Sequence, residues 1–213
     1  MAAPFQLYAF ASYDRSAKVR WILTELGLPF EDKWVDFEDE NETLREFHRI
    51  TSMGRVPALK MGEFVMIESG AICAYLADHH LERGLAPALT SPDRKSYQQW
   101  MYFSVATLDS LVSQIMIAEE LPPGEMRTQK ETALITTLRD AMTLMEQTLA
   151  RSPYLAGERF TAADIGMSYH LSFCMLWPEF DAVIRDFPKV LAYLGKMKAR
   201  PAAIEAKVFT FPG

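Results

Sequence analysis

Hydrophobic and polar positions change period more than once along this chain. Residues 5–10, FQLYAF, form a short apolar and aromatic run that reads as a strand. After a loop at 11–14, Val19, Ile22, Leu23 and Leu26 fall at i, i+3, i+4 and i+7, the spacing of a helix with one buried stripe, and Gly27 and Pro29 end it. Residues 30–35 read as a second strand. A strand, a helix and a strand within about 35 residues imply a right-handed crossover and parallel pairing. Residues 36–46 are acidic and read as a solvated face, with weak helical character over 43–50. Two apolar runs, 56–61 and 64–67, joined at Met61-Gly62-Glu63, predict a hairpin. A helix follows from Glu68, with Ile72, Tyr75, Leu76 and His79 expected on one face. The order βαβαββα describes a small mixed sheet with helices packed on it.

Residues 83–92 contain Gly84, Pro87 and Pro92 among few periodic positions and read as a linker. Beyond it no strand is expected. Leu108, Leu111, Val112 and Ile115 form one helical stripe, and Leu134, Leu138, Ala141, Met142, Met145 and Leu149 another, separated by Pro122-Pro123-Gly124. Thr161 with Asp164 three residues on is a capping-box variant, opening an apolar helix over 165–177 that Pro178 is expected to stop. Residues 189–199 supply one more helix. The expected division is a sheet-bearing domain over 1–82, a linker over 83–92 and an all-helical bundle over 93–213.

Composition narrows the function. With 213 residues, 49% of them apolar, the chain can bury a core as one large or two small domains. Against 28 acidic residues stand 22 Lys and Arg, a net charge of −6, so no basic surface is available for a phosphate backbone and no nucleic-acid partner is expected. Cys73 and Cys174 are the only cysteines, which suits a reducing, cytoplasmic compartment. The run 165–177 is shorter than the roughly 20 residues of a membrane span, so no membrane partner is expected. Residues 1–12 lack a basic leader segment and read as mature protein.

Several chemistries lose their usual signatures. No two glycines stand two residues apart, so neither a dinucleotide fingerprint nor a P-loop is present. His48, His79, His80 and His170 have no metal-ligand spacing, and no metal is expected. A GxSxG nucleophile elbow is missing too.

What remains is a hydroxyl-rich loop after the first strand, a Val-Pro pair opening the third, and an acid-Ser pair opening the next helix. SYDRSAKVRW from Ser12, ELGLPFE from Glu25, GRVPAL from Gly54, ESGAICAYLAD from Glu68, GLAP from Gly84 and YLAGERFTAADI from Tyr154 stand in one order along nearly the whole chain. Together they resemble the cytosolic glutathione transferase family, of the bacterial type with a Ser/Tyr loop and no active-site Cys. The resemblance implies an N-terminal thioredoxin-like domain followed by an all-helical domain. It implies glutathione as co-substrate, transfer of its thiolate to small apolar electrophiles, accompanying peroxidase activity, a role in detoxification and a homodimer. That dimer would use an apolar patch on the helix over 68–78.

The resemblance also assigns residues. Val56-Pro57 is expected to be cis, with the Val56 backbone pairing with glutathione as an added strand would. Glu68 and Ser69, at a helix N-terminus, would hold the γ-glutamyl end. Arg55 stands where the family has Lys and is a second candidate for a glutathione carboxylate; Thr51-Ser52 replaces the usual Asn-Pro. For the hydroxyl that faces the sulfur, register with the first helix selects Tyr13 first, in place of the usual Ser or Cys. Ser12 is second, with Ser16 and Tyr8 behind; Ser16 is also a candidate for binding glutathione. Tyr102 and Phe103 are candidates to line the electrophile pocket, although Met and aromatic residues at helical spacing also suit a core. Cys73 and Cys174 read as small buried hydrophobes. Two alternatives stand beside the transferase: a non-catalytic adaptor or ligand-binding protein of this fold, and a glutathione-dependent thiol-disulfide oxidoreductase, which the Cys-free loop opposes.

Overall fold

The computed structural model describes residues 5–211. They form two compact units, one of residues 5–83 with 199–211 and one of residues 84–198.

The first unit holds a four-stranded sheet in the order β2-β1-β3-β4, with β1 Phe5–Ala9, β2 Phe30–Trp34, β3 Ala58–Met61 and β4 Phe64–Ile67. β1 and β2 run parallel, joined by the helix α1, Ser16–Leu26, while β3 pairs antiparallel with both β1 and β4. This is the mixed sheet that the sequence pattern describes. Val19, Ile22, Leu23 and Leu26 are all buried, and Gly27 closes α1 at φ 66°, a left-handed conformation that only glycine adopts without strain. Side chains alternate across the strands. Tyr8 and Ala58, directly opposed, lie in a cluster with Val35 and with Leu44 and Phe47 of α2, Glu42–Ile50, whose first turn is capped by the Asn41 side chain. Leu7 and Leu59 take the other face. On α3, Ser69–His79, the buried stripe is Ile72, Cys73, Leu76 and Ala77. Tyr75 and His79, which helical spacing assigned to that stripe, instead stack on each other with ring centroids 3.8 Å apart, and both are exposed.

The second unit is helical, and its one described β feature is an isolated bridge between Tyr154 and Gly157. A continuous helix runs over 94–119, made of α4 Arg94–Phe103, a π-helical segment Ser104–Leu108 and α5 Asp109–Glu119. By length and composition it is apolar enough to cross a membrane, but it buries Tyr97, Trp100, Leu108, Leu111, Val112 and Ile115 within its unit, as a core helix does. α6, Glu125–Leu149, follows the Pro-Pro-Gly break and buries Leu134, Leu138, Ala141, Met142 and Met145. α7 spans Ala162–Cys174. It starts and ends about a turn earlier than the apolar run suggests, and Pro178 does not stop it but opens α8, Pro178–Arg185, where a missing N–H costs nothing. α9 is Pro188–Lys198. At the π segment, Ser104 Oγ lies 3.2 Å from His170 Nδ1, and a side chain at Gly166 of α7 would run into Ser104.

The sequence pattern runs the helical domain to residue 213, but from residue 199 the described chain belongs to the first unit. There α10, Pro201–Glu205, packs on α1. Arg200 makes a two-pronged bond to Glu25, 2.7 and 2.9 Å, and Phe209 meets the Trp21 ring edge-on at 5.5 Å.

Candidate functional site

The topology of the first unit brings the candidate residues to one end of its sheet. β1 ends at Ala9 and runs into the loop of Ser12 and Tyr13. Tyr8 pairs with Ala58, so continuing the antiparallel register sets Val56-Pro57 beside the end of β1. Ala58 pairs with Ile67, and the same continuation sets Glu68 beside Pro57. Three segments distant in sequence therefore converge where α1 and α3 both begin. Two helix N-termini and the segment that leads into β3 thus face the same end, an arrangement suited to an extended anionic peptide.

The Val56-Pro57 bond is cis. Glu68 precedes α3 at φ 69° and ψ 104°, a conformation that costs a non-glycine residue about 1–3 kcal/mol and persists only where the surroundings impose it. Its side chain is exposed, while Ser69 is buried at the first position of the helix. Arg55, directly before Val56 in the chain, is exposed.

The loop after β1 is held by two groups that the sequence reading passed over. The Asp14 carboxylate accepts three backbone N–H groups: Phe10 and Ala11 on Oδ2, at 2.7 and 2.9 Å, and Ser16 on Oδ1 at 2.6 Å. Arg20, buried on α1, reaches Asp32 of β2 with Nε and Nη2 at 2.9–3.1 Å and the Ser12 carbonyl with Nη1 at 3.3 Å. Its guanidinium also lies over the Trp34 ring, 5.2 Å from the centroid. An Asp just ahead of an apolar-periodic helix is the one local signal that could have found Asp14. Arg20 carries no local signal, because its partners lie on another strand and in the loop.

Of the four hydroxyl candidates, the loop leaves Ser12 and Tyr13 half-buried at its turn. Ser16 is fully buried in the first turn of α1, its Oγ 3.5 Å from Arg20 Nη2, so its hydroxyl is turned inward. Tyr8 is also fully buried, its ring 5.8 Å from Phe47 beneath α2. Burial, and then the Glu46 carboxylate, push its hydroxyl well above the ordinary tyrosine value, which leaves it a poor donor to a distant anion. Glu46 is itself held below the ordinary range, chiefly by Lys60 at 3.0 Å.

Neither cysteine joins the site. Burial pushes both thiols up to about 12, with the charge of the buried Lys18 only partly opposing this at Cys73, so neither is a thiolate at neutral pH. In the second unit, Trp100 is buried with Phe103 at 5.3 Å, while Tyr102 is 72% exposed.

Comparison with known proteins bears on this arrangement. The family descriptions "Glutathione S-transferase, N-terminal domain" and "Glutathione S-transferase, C-terminal domain" match residues 3–78 and 110–206. Glutathione S-transferase 3 of Zea mays is 28% identical over 208 residues, covering 94% of this chain and 91% of that protein. Among solved structures, a glutathione transferase of Methylococcus capsulatus aligns with a TM-score of 0.81 at 27% identity, covering 95% of this chain and 96% of the other. A family member from Pseudomonas fluorescens, solved with two glutathione molecules bound, aligns with a TM-score of 0.81 at 26% identity over 95% of this chain and 91% of its own. With both family domains matched in order on a thioredoxin-like sheet unit and a helical unit, the chain belongs to the glutathione S-transferase family.

Proposed function

We propose that this protein is a cytoplasmic, homodimeric glutathione transferase that adds the glutathione thiolate to small apolar electrophiles. The observation that carries the reading is the convergence of the Ser12-Tyr13 loop, Val56-Pro57 and Glu68-Ser69 at one end of one sheet. The Val56 backbone pairs with the extended tripeptide. Ser69 and the N-terminus of α3 take the γ-glutamyl carboxylate, Glu68 takes the amino group, and Arg55 takes the carboxylate at the other end. Tyr13, or Ser12 beside it, donates a hydrogen bond to the sulfur. A thiol of pKa about 8.5 is mostly protonated at neutral pH, and the thiolate is the nucleophile. One donor to a charged acceptor is worth about 1.5–3 kcal/mol, enough to lower that pKa by roughly one to two units. Tyr102 and Phe103 are the candidates for contact with the electrophile.

Calorimetry with glutathione tests binding without a guess about the electrophile. Wild-type protein is expected to bind saturably, and Ser69→Ala to weaken the dissociation constant by about tenfold or more, the loss of one bond to a charged group. No binding at millimolar glutathione overturns the reading. Transfer to a chloronitrobenzene then separates the hydroxyls: Tyr13→Phe or Ser12→Ala is expected to slow it, and unchanged rates in both remove the catalytic assignment. Binding without turnover on any electrophile or peroxide favours the adaptor, whose support is a loop that lacks Ser or Cys in register. The oxidoreductase reading is opposed by two buried, protonated cysteines and is tested by reduction of hydroxyethyl disulfide with glutathione.

A further inference from the structure

We infer that Asp14 restrains thiolate formation at this site, so that glutathione bound here ionises less readily than the hydroxyl donor and the start of α1 alone would allow. The inference rests on the glutathione reading and concerns how that site is tuned.

The first N–H groups of a helix have no partner in the helix, and together with its dipole they attract an anion. At α1 the protein supplies that anion itself. Asp14 Oδ1 takes the Ser16 N–H at 2.6 Å, and Oδ2 takes the N–H groups of Phe10 and Ala11 at 2.7 and 2.9 Å. Its own carbonyl accepts the Ala17 N–H at 2.9 Å, which closes the turn. The carboxylate is bonded to the backbone on both sides of Ser12 and Tyr13, at Phe10 and Ala11 before them and at Ser16 after them, so a sulfur placed against either hydroxyl lies close to a fixed negative charge. A like charge nearby disfavours the ionised thiol.

The other charges of this end are Arg15 in the loop, Lys18 and Arg20 on α1, Asp32 on β2, Arg55 ahead of β3 and Glu68 ahead of α3. Arg20 does not cancel Asp14, because its guanidinium is engaged by Asp32 and the Ser12 carbonyl. Three backbone N–H groups pin the Asp14 carboxylate to its own loop, so it does not swing out to meet the thiol proton. Its two effects are to fix the shape of the loop and to set the potential there.

The thiol pKa of bound glutathione, read from thiolate ultraviolet absorbance across a pH series, separates the two. Full-length wild-type, Asp14→Asn and Asp14→Ala are compared, with circular dichroism to verify folding and calorimetry to verify binding. Both variants are expected to lower the bound thiol pKa by about half a unit, about threefold in thiolate fraction at pH values below it. Asp14→Asn keeps one acceptor oxygen, enough for the Phe10 and Ala11 N–H groups that share Oδ2, and is expected to retain binding. An unchanged or higher pKa in glutathione-bound Asp14→Asn overturns the inference. So does loss of binding in both variants beside an intact wild type, which makes Asp14 a loop-shaping residue only. Wild-type protein that binds no glutathione is a different pattern: it overturns the glutathione reading and the inference with it.

Discussion

Replacing Asp164 by Ala is expected to cost the protein about 3 kcal/mol or more of stability, with no direct effect on glutathione binding. The carboxylate is fully buried at the start of α7 and accepts four hydrogen bonds: Thr161 N–H at 2.8 Å, Thr161 Oγ1 at 3.0 Å, Leu155 N–H at 3.1 Å and Tyr193 Oη at 3.0 Å. The hydroxyls can turn elsewhere, and Tyr193 Oη already lies 3.3 Å from the Asp164 carbonyl, which survives the substitution. The two backbone N–H groups cannot. At about 1–3 kcal/mol for each orphaned buried donor, they alone cost about 2–6 kcal/mol. Burial pushes the Asp164 carboxyl up from its ordinary range despite its donors, so removing the charge relieves part of the loss. A net cost of about 3 kcal/mol is a large share of the roughly 5–15 kcal/mol of a typical domain. Urea unfolding followed by far-ultraviolet circular dichroism measures it, with tryptophan fluorescence as a second probe because the chain has two units. Asp164→Asn keeps one acceptor oxygen and should fall between Ala and wild type. A loss under about 1 kcal/mol in Asp164→Ala at unchanged m-value would refute the account, because it would mean the two N–H groups find other acceptors.

Two further expectations follow from buried and paired groups. Cys73 and Cys174, with thiols pushed up to about 12, should resist iodoacetamide in native protein and react after unfolding in urea; rapid native labelling of either contradicts their burial. Glu46, held below its ordinary value chiefly by Lys60, contributes stability that is present above the carboxyl's ordinary range and lost as pH falls through the lowered value. The contribution is under about 1 kcal/mol for so exposed a pair. The gap in urea midpoint between wild type and Glu46→Gln should therefore narrow from neutral pH to acid, and a constant gap would show that the ion pair does not carry it.

Periodicity found the elements that bury a stripe on one side. Val19, Ile22, Leu23 and Leu26 announce α1, the two apolar runs around Gly62 announce the hairpin, and Thr161 with Asp164 announces the start of α7. It fails where burial alone does not decide direction. Tyr8, in an apolar strand, could serve either face of the sheet, and only the packing of Phe47 from α2 fixes it in the core and removes it from the site. Tyr75 and His79 match the helical spacing of Ile72 and Leu76 but lie at the margin of that stripe, where stacking on each other suffices. Of the candidate site, motif order pointed to Val56-Pro57 and Glu68-Ser69, because each depends on residue type at one position, and the cis bond at Val56-Pro57 is as expected. Asp14 and Arg20 were not legible as a pair of supports for the loop. What they do depends on where β2 and the loop meet, which no local pattern encodes.

The return of residues 199–211 to the first unit has a consequence for synthesis. Trp21 and Glu25 lie on a helix that precedes the helical unit in the chain, and their partners Phe209 and Arg200 follow that whole unit; the bond from Arg200 to Glu25 spans 175 positions. Chains generally fold domain by domain from the N-terminus during translation. Here the N-terminal unit cannot complete its packing in that order, because one side of α1 stays bare until residues 199–211 have been made, after the helical unit has had its whole length available to fold. The half of the molecule that is translated first is the half that is finished last.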